Sequence, residues 1–103
     1  EYTILLDKPD LMKKILYLAQ KGPKVGIHLI ISTSHPSVNV ISNKIKTLFP
    51  TRIAFKTRTT VDSRTILDVT GAEELDGYGD MLLLYKTELI QLKGCFLYLH
   101  TAL

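Results

Sequence analysis

Few residues in this 103-residue chain have types and spacing that could do chemistry. Asp7 directly follows an apolar run over residues 2–6. A carboxylate at the end of a buried strand is where a nucleotide site keeps its magnesium-holding acid. A helix cap would put an acid in the same place. Ser32, Ser34 and His35 are close in sequence, but no glycine-framed elbow surrounds the serines, which argues against a hydrolase triad. His28, His35 and His100 have no metal-ligand spacing, and His28, inside an apolar run, reads as a core histidine. The single cysteine, Cys95, excludes an internal disulfide framework and a zinc site of several cysteines. Gly77-Tyr78-Gly79 precedes an apolar run rather than a helix, so it reads as a tight turn and not as a phosphate cradle. No GxxxxGK[ST] stretch occurs, so the chain as given lacks the loop that holds nucleotide phosphates.

Charge is distributed in blocks. Lys44, Lys46, Arg52, Lys56, Arg58 and Arg64 lie against one acid, Asp62, and the next stretch carries Asp68, Glu73, Glu74, Asp76 and Asp80 with no base. The first block suits a phosphate-bearing partner, and the second marks a face of opposite sign; two solvated surfaces would show the same pattern. Arg52, inside an expected strand, reads as structural.

The elements that must position these residues alternate. Strands are expected over residues 2–6, 27–32, 52–56, 80–85, 89–93 and 95–99. Helices are expected from the cap Asp10 to Ala19, over 38–48 with Val38, Ile41, Ile45 and Leu48 on one face, and over 61–69 behind a Thr59 or Thr60 cap. Gly22-Pro23, Pro50 and Gly71 close them. All-apolar strands alternating with helices point to a mainly parallel α/β sheet. Ligands of such sheets bind beyond the carboxyl ends of the strands, here in the loops at 7–10, 32–37 and 56–60.

Length and composition fit one domain, with 46% hydrophobic and 22% charged residues and a net charge of +3. The apolar runs fall far short of the ~20 residues of a membrane span. No signal peptide is expected, and one cysteine suits a reducing compartment. A start at Glu1 suggests a fragment.

Gly26-Ile27-His28-Leu29-Ile30-Ile31-Ser32-Thr33, Pro36-Ser37-Val38, Pro50-Thr51-Arg52-Ile53-Ala54-Phe55, Val61-Asp62-Ser63-Arg64-Thr65-Ile66-Leu67-Asp68, Gly71-Ala72-Glu73-Glu74-Leu75 and Gly79-Asp80-Met81-Leu82 follow one another in this order. Together they resemble the motor domain of FtsK/SpoIIIE DNA translocases, over nearly the whole chain to about Phe96. The resemblance implies a partial RecA-like P-loop ATPase core, α/β with a mainly parallel sheet. Residues 1–103 would be a single partial domain, from the Walker B strand to near the end of the motor, with the Walker A half outside the chain. It further implies ATP and Mg2+ as cofactors of the complete motor, double-stranded DNA as partner, a homo-hexameric ring, and a role in bacterial chromosome partitioning at division or sporulation. The motor portion would be cytoplasmic, with the parent protein tied to the inner membrane by a separate N-terminal region.

Carried over residue by residue, Asp7 resembles the Walker B aspartate that orients Mg2+ through water. The next family residue is a catalytic glutamate; here it is Lys8, which while charged cannot accept a proton from water. A family arginine finger falls at Pro23, beside Lys24, which offers a point charge without a fork. The family's sensing glutamine is Ser34 and its DNA-facing arginine is His35, a residue type mostly neutral at pH 7. Lys46 matches a pore lysine, Arg64 a DNA-facing arginine, and Thr60 the place of a further family lysine. The segment between Met12 and Ile15 is several residues shorter than in the family. Two readings follow: a segment of an ATP-driven DNA translocase, inactive alone, or a degenerate, non-hydrolysing homologue that serves as a DNA-binding or structural module.

Overall fold

The structure, a computed structural model, describes residues 8–97. Asp7, the expected strand over residues 2–6 and His100 therefore lie outside the described residues. The chain divides into two compact units, Glu1–Pro50 and Thr51–Leu103.

In the first unit, helix α1 (Pro9–Lys21) starts behind Lys8 with proline at its first position, where a missing N–H costs nothing and the ring fixes a helical φ. Asp10 stands in the first turn rather than at the cap; there its charge complements the helix dipole. A 3-10 turn (Gly22–Val25) closes α1 and ends at Gly26 in the left-handed region, φ 82°. Helix α2 covers Asn43–Leu48 alone, not the expected 38–48. The Ser42 hydroxyl accepts the Ile45 N–H (3.4 Å) and starts the helix there. Ahead of it, the Val40 and Ile41 N–H groups both donate to the Ser37 carbonyl in a tight turn. As a result Val40 takes a buried place with Ile45, packed by Met12, Leu16, Ile31, Ile41 and Phe49, and Val38 is exposed.

The expected strand over 27–32 does not form. Among the described residues no strand runs beside it, so its backbone groups have no ladder to join. Ile30 is 97% exposed, and His28 lies on the surface rather than in a core.

In the second unit, strands β1 (Arg52–Phe55), β2 (Asp80–Tyr85) and β3 (Glu88–Lys93) form a sheet in the order β1-β2-β3. Both pairings are antiparallel, with Ala54 opposite Leu82 and Leu82 opposite Gln91. The expected parallel arrangement is corrected by the connection between β1 and β2. Helix α3 (Thr60–Leu67) follows β1, and the chain then returns through Asp68, Gly71, a 3-10 turn (Ala72–Glu74) and the Gly77–Gly79 turn. The Thr57 N–H donates to the Ala72 carbonyl (3.2 Å), so by Ala72 the chain is back at the carboxyl end of β1. β2 therefore starts opposite Phe55 and runs the other way.

One face of this sheet carries Ala54 and Leu82, which pack with Leu67, Ala72 and Leu75 as the core, against Ile66 and Leu84. The other face carries Ile53, Phe55 and Leu92, all more than two-fifths exposed. A Cβ at Gly79 would run into the Gly94 carbonyl, and Gly79 also holds φ 94°. Residues 95–97 of the expected last strand have no strand pairing, and residues 98–99 lie outside the described residues. No described helix is long and apolar enough to cross a membrane.

Candidate nucleic-acid interface

Helix α3 carries two of the expected site residues, Thr60 and Arg64. Thr59, extended at φ −136° and ψ 162°, accepts the Asp62 N–H on its Oγ1 (3.1 Å) and caps the helix. This corrects the alternative of a cap at Thr60, which is the first helical residue. Gly71 does not close the helix: Asp68, left-handed at φ 65°, ends it, and its N–H donates to the Arg64 carbonyl (2.8 Å). Ser63 and Leu67, four apart, face the core and are 0% and 1% exposed. Thr60 and Arg64, also four apart, stand one above the other on the exposed side. Amphipathicity thus turns the arginine to solvent, in the last turn of α3, where the helix dipole favours a cation.

Arg52 bears out its structural reading. Its Nη1 donates to the Ile66 carbonyl (3.2 Å) and to Asp68 Oδ2 (2.8 Å). The side chain is 16% exposed. A guanidinium at the last carbonyls of a helix is favoured by the dipole as well as by the hydrogen bonds.

The first unit holds the other expected contacts. Ser34 and His35 are exposed in the loop before α2. The His35 N–H donates to Thr33 Oγ1 (3.1 Å) and its carbonyl accepts from the Ser37 N–H (2.9 Å), which folds the loop tightly around the imidazole-bearing residue. Lys46 is half-buried in the last turn of α2, where a cation is also favoured by the helix itself. Lys8 is exposed, and its carbonyl accepts the Met12 N–H (3.0 Å) in the first turn of α1. Pro23 and Lys24 are exposed on the 3-10 turn that follows. Among the described residues, no group of three or more His, Cys, Asp or Glu side chains is placed to hold a metal ion.

No protein-family model matches the chain. Curated relatives do. Over 73 residues it is 56% identical to the DNA translocase FtsK of Chlorobaculum tepidum, which spans 71% of this chain. Over 75 residues it is 53% identical to the DNA translocase SftA of Bacillus subtilis, 73% of this chain. Over 90 residues it is 50% identical to FtsK of Listeria monocytogenes, 85% of this chain. This chain belongs to the FtsK family of DNA translocases.

The FtsK-family chain spans 9%, 8% and 12% of those three relatives' own lengths. A solved structure, the pCW3 conjugation coupling protein TcpA in a monomer form with ATPγS, aligns with a TM-score of 0.74 at 26% identity, over 80% of this chain and 23% of TcpA. With its helices and three-stranded sheet, the FtsK-family segment is α/β.

Ser63 is the residue whose part the sequence reading missed. Its hydroxyl donates to the Val69 carbonyl (2.8 Å) and accepts the Ala72 N–H (3.1 Å), joining two of the FtsK-like blocks, DSRTILD and GAE. A signal was present: Ser63 falls four residues before Leu67, on the apolar stripe of α3, where a polar group needs a partner.

Proposed function

We propose that this FtsK-family chain is part of an ATP-driven motor that moves along double-stranded DNA, with Thr60 and Arg64 of α3, together with His35 and Lys46 of the first unit, as its phosphate-facing residues. The observation that carries the reading is the exposed Thr60–Arg64 face of a helix whose opposite face is buried, in a family whose members are named DNA translocases. The coupling-protein neighbour, a protein of conjugation, supports it. Lysine and arginine on phosphates release counterions and grip every sequence alike. That is the contact a motor needs if it is to step along DNA of any composition.

In this reading residues 1–103 are part of one RecA-like domain, a P-loop ATPase core. The complete protein works as a hexamer in bacterial chromosome partitioning, in the cytoplasm, with an inner-membrane anchor in a separate region. ATP and Mg2+ serve the complete motor. Asp7 is the residue assigned to Mg2+ and Ser34 the one assigned to the nucleotide side, and ATP when bound supplies the free energy of movement. The four residues of this chain do the holding and orienting of DNA.

A second reading is favoured by one observation. Lys8 stands where a glutamate would polarise water, and an exposed ammonium at the start of α1 does not replace a general base. The chain would then be a non-hydrolysing DNA-binding or structural module. Displacement of a triplex-forming oligonucleotide by the full-length protein separates the two. A translocase displaces it when ATP is added. A protein that binds duplex DNA but displaces nothing, and gains no DNA-stimulated ATP turnover from Lys8→Glu with Pro23→Arg, is the second kind. No duplex binding at all contradicts both.

A further inference from the structure

Arg58 lies between two threonines that fix the backbone on either side of it. Thr57 is buried, its N–H donates to the Ala72 carbonyl (3.2 Å), and its Oγ1 donates to the Thr59 carbonyl (3.1 Å). Thr59 in turn caps α3 by accepting the Asp62 N–H. Arg58 is exposed between them and enters no ion pair among the described residues. Its guanidinium is therefore delivered from a fixed stretch of backbone into solvent beside the first turn of an eight-residue helix, the end that favours an anion. Asp62, the acid nearest in sequence, is half-buried in that first turn, and Arg64 stands exposed in the last turn of the same helix. Thr60, the first residue of α3, brings no charge of its own.

We infer that Arg58 is a further contact to the phosphate backbone of duplex DNA, working beside Arg64 and supplying the cation that Thr60 lacks. This inference rests on the reading of α3 as facing DNA. Arginine suits the place because its planar fork meets two phosphate oxygens at once, and because pinning at Thr57 and Thr59 reduces the disorder lost on contact. The contact is to phosphate and not to base edges, so it strengthens all sequences alike.

The experiment is salt-dependent binding of a mixed-sequence DNA duplex by the full-length protein carrying Arg58→Ala, Arg64→Ala, or Arg58→Ala with Thr60→Lys. Arg58→Ala lowers the slope of log affinity against log salt by about one, and Thr60→Lys restores it. Arg58→Lys keeps the slope. If Arg64→Ala lowers the slope and Arg58→Ala leaves it unchanged, the inference is overturned while the DNA-facing reading of α3 stands. If neither changes it, that reading falls and takes Arg58 with it. A lowered slope that Thr60→Lys does not restore overturns the claim that Arg58 acts in place of a cation at Thr60.

Discussion

The Ser63 hydroxyl accepts the Ala72 N–H at 3.1 Å while donating to the Val69 carbonyl at 2.8 Å, and Ser63 and Ala72 are each 0% exposed. One side chain thus ties α3 to the return path that makes the sheet antiparallel. Because the Ala72 carbonyl also holds the Thr57 N–H, the same link reaches the carboxyl end of β1. The solvent-facing side of α3 is oriented from its buried side.

Replacing Ser63 with alanine leaves the buried Ala72 N–H without an acceptor, a loss of about 1–3 kcal/mol for a group cut off from water. Amide exchange in the full-length protein reads this locally. The Ala72 amide and those of α3 are expected to exchange faster in Ser63→Ala. Unchanged protection would mean that the hydroxyl carries no such load.

Asp68 combines two opposing terms. Its left-handed φ of 65° strains any residue with a Cβ, and its carboxylate holds Arg52. Asp68→Ala loses the ion pair and keeps the strain the parent already carries, a cost of about 1 kcal/mol at most for so exposed a pair. Asp68→Gly loses the pair and relieves the strain, so it comes out close to neutral. The check is the order of the two variants in exchange at the last turn of α3. Glycine weaker than alanine would contradict it.

The Gly77–Gly79 turn should be unequal in its tolerance. At Gly77 an added Cβ meets no atom nearer than Lys56 Cδ at 3.9 Å, whereas at Gly79 it collides with backbone of Gly94. Both hold positive φ. Gly79→Ala is expected to loosen the β2–β3 pairing at Asp80 and Lys93, with Gly77→Ala distinctly milder, as read by amide exchange along β3. Equal effects would show that φ alone sets the cost.

Local signals read well where the chain makes its own partners. The helix behind a Thr59 or Thr60 cap and the strands at Asp80–Tyr85 and Leu89–Lys93 all follow from side chains that meet within the second unit. The structural part of Arg52 was legible from its place on a strand, while its partners, the Ile66 carbonyl and Asp68, were not. Strand direction was not legible. Apolar β1 and β2 separated by a helix look like a parallel crossover, and it is the Thr57–Ala72 hydrogen bond, a long-range contact, that turns β2 around. Residues 27–32 failed for the opposite reason: their pattern is that of a buried strand, but among the described residues they have no neighbour to be buried by. Thr60 and Arg64 were singled out through the family-like motif around them, and α3 places both on its exposed side. Ser63 showed in the sequence only as a polar residue four before Leu67; its partners at Val69 and Ala72 are set by the return path of the chain and could not be read from spacing.

The most direct test of the account is the salt dependence of duplex DNA binding by the full-length protein and its Lys46→Ala and Arg64→Ala variants, with Lys86→Ala at the β2–β3 hairpin tip as the control. Each of the first two is predicted to lower the slope by about one and to weaken unrelated sequences equally, while the control leaves the slope unchanged. Slopes that stay at the parent value in both variants would contradict the account and remove both residues from the DNA contacts.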